Sequence, residues 1–200
     1  MLGTVPREQL ITPDRARPGD RVVLVRGFPI EGTAILARER ADELRRRGYD
    51  EATLRAAQRF LYDPGISVVT AARTMVRAGP VHALHDPTEG GVATGVLELA
   101  MATGLGIEVD AAALSPLPLG RRLCAEFGLD PLGTIASGAL LAAVPPEAVN
   151  THLQVLTTAD IPAAEVGKLL PAGDGYWLRS GGKRRPLPRF TADEIVRLFG

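Results

Sequence analysis

Asp86, Thr88 and Glu89, followed by Gly90 and Gly91, form the segment "HDPTEGG", the densest grouping of chemistry-bearing residues in the chain. An apolar run, "VHAL", precedes it and a helical pattern, "VATGVLELAMA", follows. Asp86 thus falls at the C-terminal end of a strand, the edge where open α/β sheets bind ligands. Thr88 can cap the helix, and two glycines would bare the backbone N–H groups and positive dipole end of its first turn. That chemistry suits a phosphate, with Asp86 or Glu89 beside it to hold a Mg²⁺ that bridges to the phosphate. A plainer alternative stands beside it: Thr88 only caps, and the glycines only let helix and strand approach closely. Two glycines opening a helix cost about 1 kcal/mol each relative to alanine, which a bland turn has no need of.

"LDPLGTIASGALL" is a second grouping, in which Ser137 and Gly138 are small donors beside a buried strand. "RGFPIEGTA" repeats the strand, glycine-bearing loop and helix theme at Gly27 and Gly32. Other chemistry is poorly represented. A dinucleotide fingerprint, a Walker A loop, a zincin motif and a nucleophile elbow are all missing. His82, His85 and His152 are scattered, and the first two, three apart on a strand, point to opposite faces. The single cysteine, Cys124, excludes an internal disulfide and reads as core of a helix.

These residues need elements to position them. "RVVLVRG" is β-branched and apolar on both faces, the mark of a buried strand. "IEGTAILARERADELRRRG" has helical spacing over residues 30–48, and helices are expected near 51–60 and 66–79. A strand near 81–85, the HDPTEGG turn and a helix near 90–103 come next. "GIEVD" is a short strand, residues 117–127 a helix, "ALLAAV" a buried strand, and Pro145-Pro146 open a helix to about Leu156. "AAEVGKLL" and "GYWLRS" are strands, and "GGKRR" is a turn. "TADEIVRLF" is a terminal helix with Thr191 as N-cap and Glu194 completing a capping box. Strands gather toward the end of the chain, which favours an α/β (α+β) fold: one mixed β-sheet flanked by helices.

Composition narrows the function classes. With 46% apolar residues in 200, the chain can bury one good core. It carries 23 basic and 23 acidic residues, so it offers no field for nucleic acid or an anionic membrane. No apolar run reaches the roughly 18 residues of a membrane span, and the N-terminus lacks a signal-type apolar region. A cytoplasmic protein is expected.

Four stretches, "RPGDRVVLVRGFPIEGTAILARE", "LYDPGISVVTAARTM", "VHALHDPTEGGVATGVLELAMATGLGIEVD" and "LDPLGTIASGALLAAVPPE", resemble in content and order the C-terminal domain of the AIR synthase superfamily. The resemblance covers about residues 15–200 and is strongest to HypE-type hydrogenase-maturation proteins. It extends more broadly to aminoimidazole ribonucleotide synthetase, selenophosphate synthetase and thiamine-monophosphate kinase. It implies an AIR synthase C-terminal-like domain over residues 21–200, with residues 1–20 an extended lead-in from a missing N-terminal domain. In the family that domain forms a homodimer and carries the aspartates that bind Mg-ATP. ATP lies in the cleft between domains, and its γ-phosphate activates an oxygen of a small-molecule substrate.

Carried over residue by residue, the resemblance places Asp86 and Thr88 near the phosphates or metal, with Gly90 and Gly91 as backbone donors. Glu89, Ser137 and Gly138 complete the implied nucleotide-binding set, Asp86 and Glu89 being the possible Mg²⁺ ligands. Where HypE proteins have "DPTRGG", this chain has Glu89 in place of the arginine, closer to the kinase branch. HypE proteins end in a cysteine-bearing tail that accepts a carbamoyl group, whereas this chain ends "DEIVRLFG"; "ASGALL" also departs from the HypE pattern. The expectation is half of an ATP-dependent phosphotransfer or dehydration site, inactive alone. Alternatives are a non-catalytic ligand-binding or assembly module on the same fold, and a stand-alone metal hydrolase.

Overall fold

The computed structural model describes residues 4–199. Seven strands make one mixed sheet: β1 (Arg21–Val25), β2 (Ala83–His85), β3 (Gly106–Asp110), β4 (Leu140–Val144), β5 (Ala163–Leu170), β6 (Tyr176–Ser180) and β7 (Lys183–Pro186). Their order is β2-β4-β1-β5-β3-β6-β7, antiparallel throughout except for the parallel pair β3–β6. The expected mixed sheet with helices is thus the fold found.

Period-two alternation sends β1 to both faces. Val22 and Leu24, with Leu141 and Ala143, pack on the face covered by α5 (Gly91–Thr103), whose Val92, Val96 and Leu99 are buried there. Val23 and Val25, with Leu140, Ala142 and Val144, pack on the other face. That face is covered by α4 (Val69–Ala78) and α7 (Val149–Thr158) through Ala71, Met75 and Leu156. A third cluster lies beside the sheet, between α1 (Ile30–Glu39), α2 (Ala41–Arg46), α3 (Glu51–Gln58) and α6 (Pro118–Glu126). Among the described residues no helix is long and apolar enough to cross a membrane.

Cys124 belongs to this third cluster and is fully buried, its Sγ 3.7 Å from Thr134 Oγ1. Burial pushes its thiol up to about 11. Since the thiolate is the nucleophile, the native protein is expected to resist iodoacetamide at about pH 8 and to react stoichiometrically in denaturant. Rapid labelling of native protein, read by mass spectrometry, would contradict this placement.

Four expectations are corrected. The helix over residues 30–48 is two helices, because Arg40 leaves the helical region (φ −117°, ψ 23°). "GGKRR" is only partly a turn: Gly181 and Gly182 reverse the chain, and Lys183–Pro186 is an edge strand pairing with β6. The terminal helix is a short 3₁₀ helix, Glu194–Leu198. Its N-cap is Asp193, which accepts from Ile195 N–H, so Thr191 and Glu194 form no capping box. Residues 4–20 are mostly extended, broken by 3₁₀ turns at Arg7–Gln9 and Pro13–Arg15.

Candidate functional site

Because β1 and β2 both run antiparallel to β4, they are parallel to each other, and their C-terminal ends meet at one edge of the sheet. The loop entering β4 arrives at the same edge. Residues 86–91, 134–139 and 26–29 are therefore neighbours although far apart in sequence. One carbonyl ties two of these loops. Thr88 O accepts Gly91 N–H at 3.1 Å, closing the turn, and Ala136 N–H at 3.1 Å, binding the turn to the Ser137–Gly138 loop. Asp86, Thr88 and Glu89 are exposed, Ser137 is half-buried, and Gly90, Gly91 and Gly138 are buried. All seven sequence-predicted residues are brought to this one edge.

Their individual roles differ from the simple picture of a bared helix terminus. Hydrogen bonds from the Thr88 hydroxyl and from its own backbone N–H hold the Glu89 carboxyl below its ordinary value. Gly90 N–H donates to Asp193 Oδ2 at 2.7 Å, in a buried contact across 103 residues of sequence. With Gly91 N–H on Thr88 O, both glycine donors are engaged within the fold. Gly91 has φ +67°, and a Cβ there would collide with Leu132 O and lie 2.8 Å from Thr134 O. The helix terminus therefore does hold an anion, but the anion is the chain's own carboxylate. Behind the turn, His85 Nε2 lies 2.9 Å from Glu98 Oε2, which pins the end of β2 to α5.

Two residues of this edge escape sequence reasoning. Asp193 sits in a segment strapped across the 128–134 loop. Phe190 lies on Gly133, Glu194 accepts from Asp130 N–H at 2.9 Å, and Ile195 enters the third cluster. An aspartate before "EIVRL" is a good N-cap signal, but nothing local foretells the bond to Gly90. Arg26 is the other. It closes β1 with a left-handed backbone (φ +63°), rare for a side-chain-bearing residue and common at functional sites. Its Nη1 donates to Gly65 O at 2.8 Å, and burial lowers its pKa from the ordinary value. The same Gly65 carbonyl would lie 2.8 Å from a Cβ on Gly138. Arg26 thus ties the end of β1 to the Gly65 loop, which itself packs on Gly138, and "VRGFP" carries no pattern that announces it.

A family model described as AIR synthase related protein, C-terminal domain, matches residues 17–177. The chain belongs to this family. Among curated relatives of this AIR synthase-related domain, carbamoyl dehydratase HypE of Cupriavidus necator is 33% identical over 141 residues. That match covers 70% of the chain and 37% of the relative. The crystal structure of E. coli HypE superposes with a TM-score of 0.76 at 26% identity, covering 98% of the chain and 57% of that protein. A HypE crystallised in complex with ATP shares the fold at a TM-score of 0.68 and 24% identity, covering 94% of the chain and 56% of that protein. The AIR synthase-related chain therefore spans less than two thirds of the length of these relatives.

Proposed function

We propose that this domain supplies one wall of an ATP-dependent site, in which a γ-phosphoryl group activates an oxygen of a small-molecule substrate by phosphoryl transfer or ATP-driven dehydration. The observation that carries this reading is the convergence of the Asp86–Gly91 turn, the Ser137–Gly138 loop and Arg26 on one sheet edge. Kinship with the HypE proteins, one of them crystallised with ATP, supports the choice of nucleotide. On this reading the exposed Asp86, Thr88 and Glu89 and the half-buried Ser137 would face the nucleotide, while Gly90, Gly91 and Gly138 shape the backbone. Catalysis at such a site is positioning and charge neutralisation rather than covalent chemistry by the protein.

Mg²⁺ fits as a companion of the phosphates. It binds through one or two carboxylates plus phosphate oxygens, and Asp86 and Glu89 offer two. Among the described residues no group of three or more potential ligands is present, so a standing metal centre and the metal hydrolase reading have no support. The remaining aspartates and the dimer contacts belong, on this reading, to a partner domain.

The purified chain is expected to hydrolyse ATP only at background, and to bind Mg-ADP weakly. Asp86→Ala and Thr88→Val should each weaken that binding about tenfold in calorimetry, a loss of about 1.4 kcal/mol. ATP turnover by the chain alone, or unchanged ADP binding in both variants, would overturn the assignment. Asp193 favours a second reading. A carboxylate already seated on Gly90 N–H is what a non-catalytic assembly module, its anion site closed from within, would carry.

A further inference from the structure

The opposite edge of the sheet, at the N-terminal ends of β1 and β2, holds a cavity of about 810 Å³. It lies away from the loops of the proposed ATP site and is independent of that assignment. Gln9, Asp14, Arg15, Arg17, Arg77 and His82 supply its polar lining, over an apolar wall that includes Ile11 and Val81. Size and mixed lining are those of a small-molecule site. Arg17 and Arg77 bring positive charge to this cavity in a chain whose formal net charge is zero. Other arginines, among them Arg21, Arg45, Arg47, Arg179, Arg184 and Arg197, are held in ion pairs. The guanidinium groups of Arg17 and Arg77 have no such partner among the described residues and face one cleft.

The histidine is oriented from below. Asp20 is only 3% exposed, and its Oδ2 accepts Arg17 N–H at 2.8 Å while lying 2.7 Å from His82 Nδ1. A carboxylate can only accept there, so Nδ1 carries a proton, and in the neutral form of the ring it is Nε2 that is the acceptor. Nε2 has no partner among the described residues, and the ring lines the cavity with its side chain 20% exposed. A buried acid that fixes the tautomer of a histidine at a cavity wall is a positioning device. Solvation of the ring alone would not need it.

We propose that this cavity binds a small hydroxylated oxyanion, a phosphate monoester or a hydroxycarboxylate. Arg17 and Arg77 hold the oxyanion, and His82 Nε2 accepts a hydrogen bond from the ligand hydroxyl. Arginine is suited to the first task because its planar fork matches phosphate and carboxylate oxygens. The hydroxyl preference belongs to the neutral, Nδ1-protonated ring, whose acceptor Nε2 repels a bare oxyanion and welcomes a donor.

The test is titration of the ¹⁵N-labelled chain with glycerol 3-phosphate, glycerate, methyl phosphate and glycerol, followed by NMR. Saturable shifts at Arg17, Arg77 and His82, and not at Asp86–Gly91, are expected with one or both hydroxylated anions. Which of the two binds tighter identifies the anion class. Glycerol should not bind, and methyl phosphate should bind about tenfold more weakly than glycerol 3-phosphate. Arg77→Ala, at an exposed position, should weaken the hydroxylated anions about tenfold with an unchanged melting temperature. His82→Phe should erase the preference over methyl phosphate. Should His82→Phe fail to fold, because it strands Asp20, the methyl phosphate comparison on the wild type still decides the hydroxyl's role. No saturable shift with either hydroxylated anion overturns the proposal, as do equal binding of methyl phosphate and indifference to Arg77→Ala.

Discussion

Gly91→Ala is expected to lower the stability of the domain by about 2–5 kcal/mol, the sum of a left-handed backbone penalty and overpacking. In a chain of this size that is a fall of about 10 °C in melting temperature. The backbone at Gly91 has φ +67°, where an L side chain is strained, and the added Cβ would meet backbone, not a flexible side-chain end. Its neighbours would be Leu132 O, Thr134 O at 2.8 Å and the Gly133 carbonyl carbon at 2.9 Å. Neither α5 nor the 130–134 loop can retreat easily. Asp130 fastens that loop by accepting Leu132 N–H at 2.9 Å and, through its carbonyl, the Thr134 hydroxyl at 2.9 Å. Gly104 is the control. Its φ of +69° is nearly the same, but nothing lies within 4 Å of an added Cβ. Gly104→Ala should therefore cost only the conformational part, about 1–2 kcal/mol. The measurement is thermal or urea unfolding of both variants. If Gly91→Ala proved no worse than Gly104→Ala, the close packing of turn on loop would be wrong.

That comparison also separates what was legible in the sequence from what was not. β1, β3, β4 and β5 stand out as apolar or alternating runs, since each carries its own pattern and turn punctuation. The helix after HDPTEGG was equally plain, and so was the special character of its two glycines. What the glycines do was not legible. Residue types admitted either an exposed anion cradle or a tight joint. The carbonyls of Leu132 and Thr134, some forty residues downstream, make Gly91 a joint. The same limit explains the errors. Residues 30–48 keep helical periodicity across Arg40, whose place under the ring of Phe199, 5.0 Å away, is a long-range contact. "TADEIVRLF" offers two capping patterns. The one in use, Asp193, is selected because its carboxylate also reaches the terminus of α5. Arg26 is the same kind of case: its strained backbone and its bond to Gly65 O depend on loops that no local window contains.

Asp193→Ala is expected to have the second large effect, and it discriminates between the two functional readings. The substitution removes the acceptor of two buried donors, Gly90 N–H at 2.7 Å and Ile195 N–H at 2.9 Å. A buried donor stranded without a partner costs about 1–3 kcal/mol, and loss of the negative charge at the helix terminus adds to it. A stability loss of about 3 kcal/mol follows, or about 6–12 °C in melting temperature. The strap from Arg189 to Phe199 should loosen with it, as increased amide exchange at Ile195 and Val196. Its other contacts, Phe190 on Gly133 and Glu194 on Asp130 N–H, keep it nearby. Ligand linkage then supplies the decision. If the turn is one wall of a phosphate site, the vacated N–H at the start of α5 becomes an anion seat. Phosphate or ADP should then raise the melting temperature of Asp193→Ala more than that of the wild type. If the domain is an assembly module sealed by its own carboxylate, the variant is simply less stable and neither anion restores it. Asp193→Asn sharpens the contrast. Its amide has one acceptor oxygen where the carboxylate uses two, so it can satisfy Gly90 N–H or Ile195 N–H but not both, and it should recover only part of the stability while gaining no anion affinity on either reading.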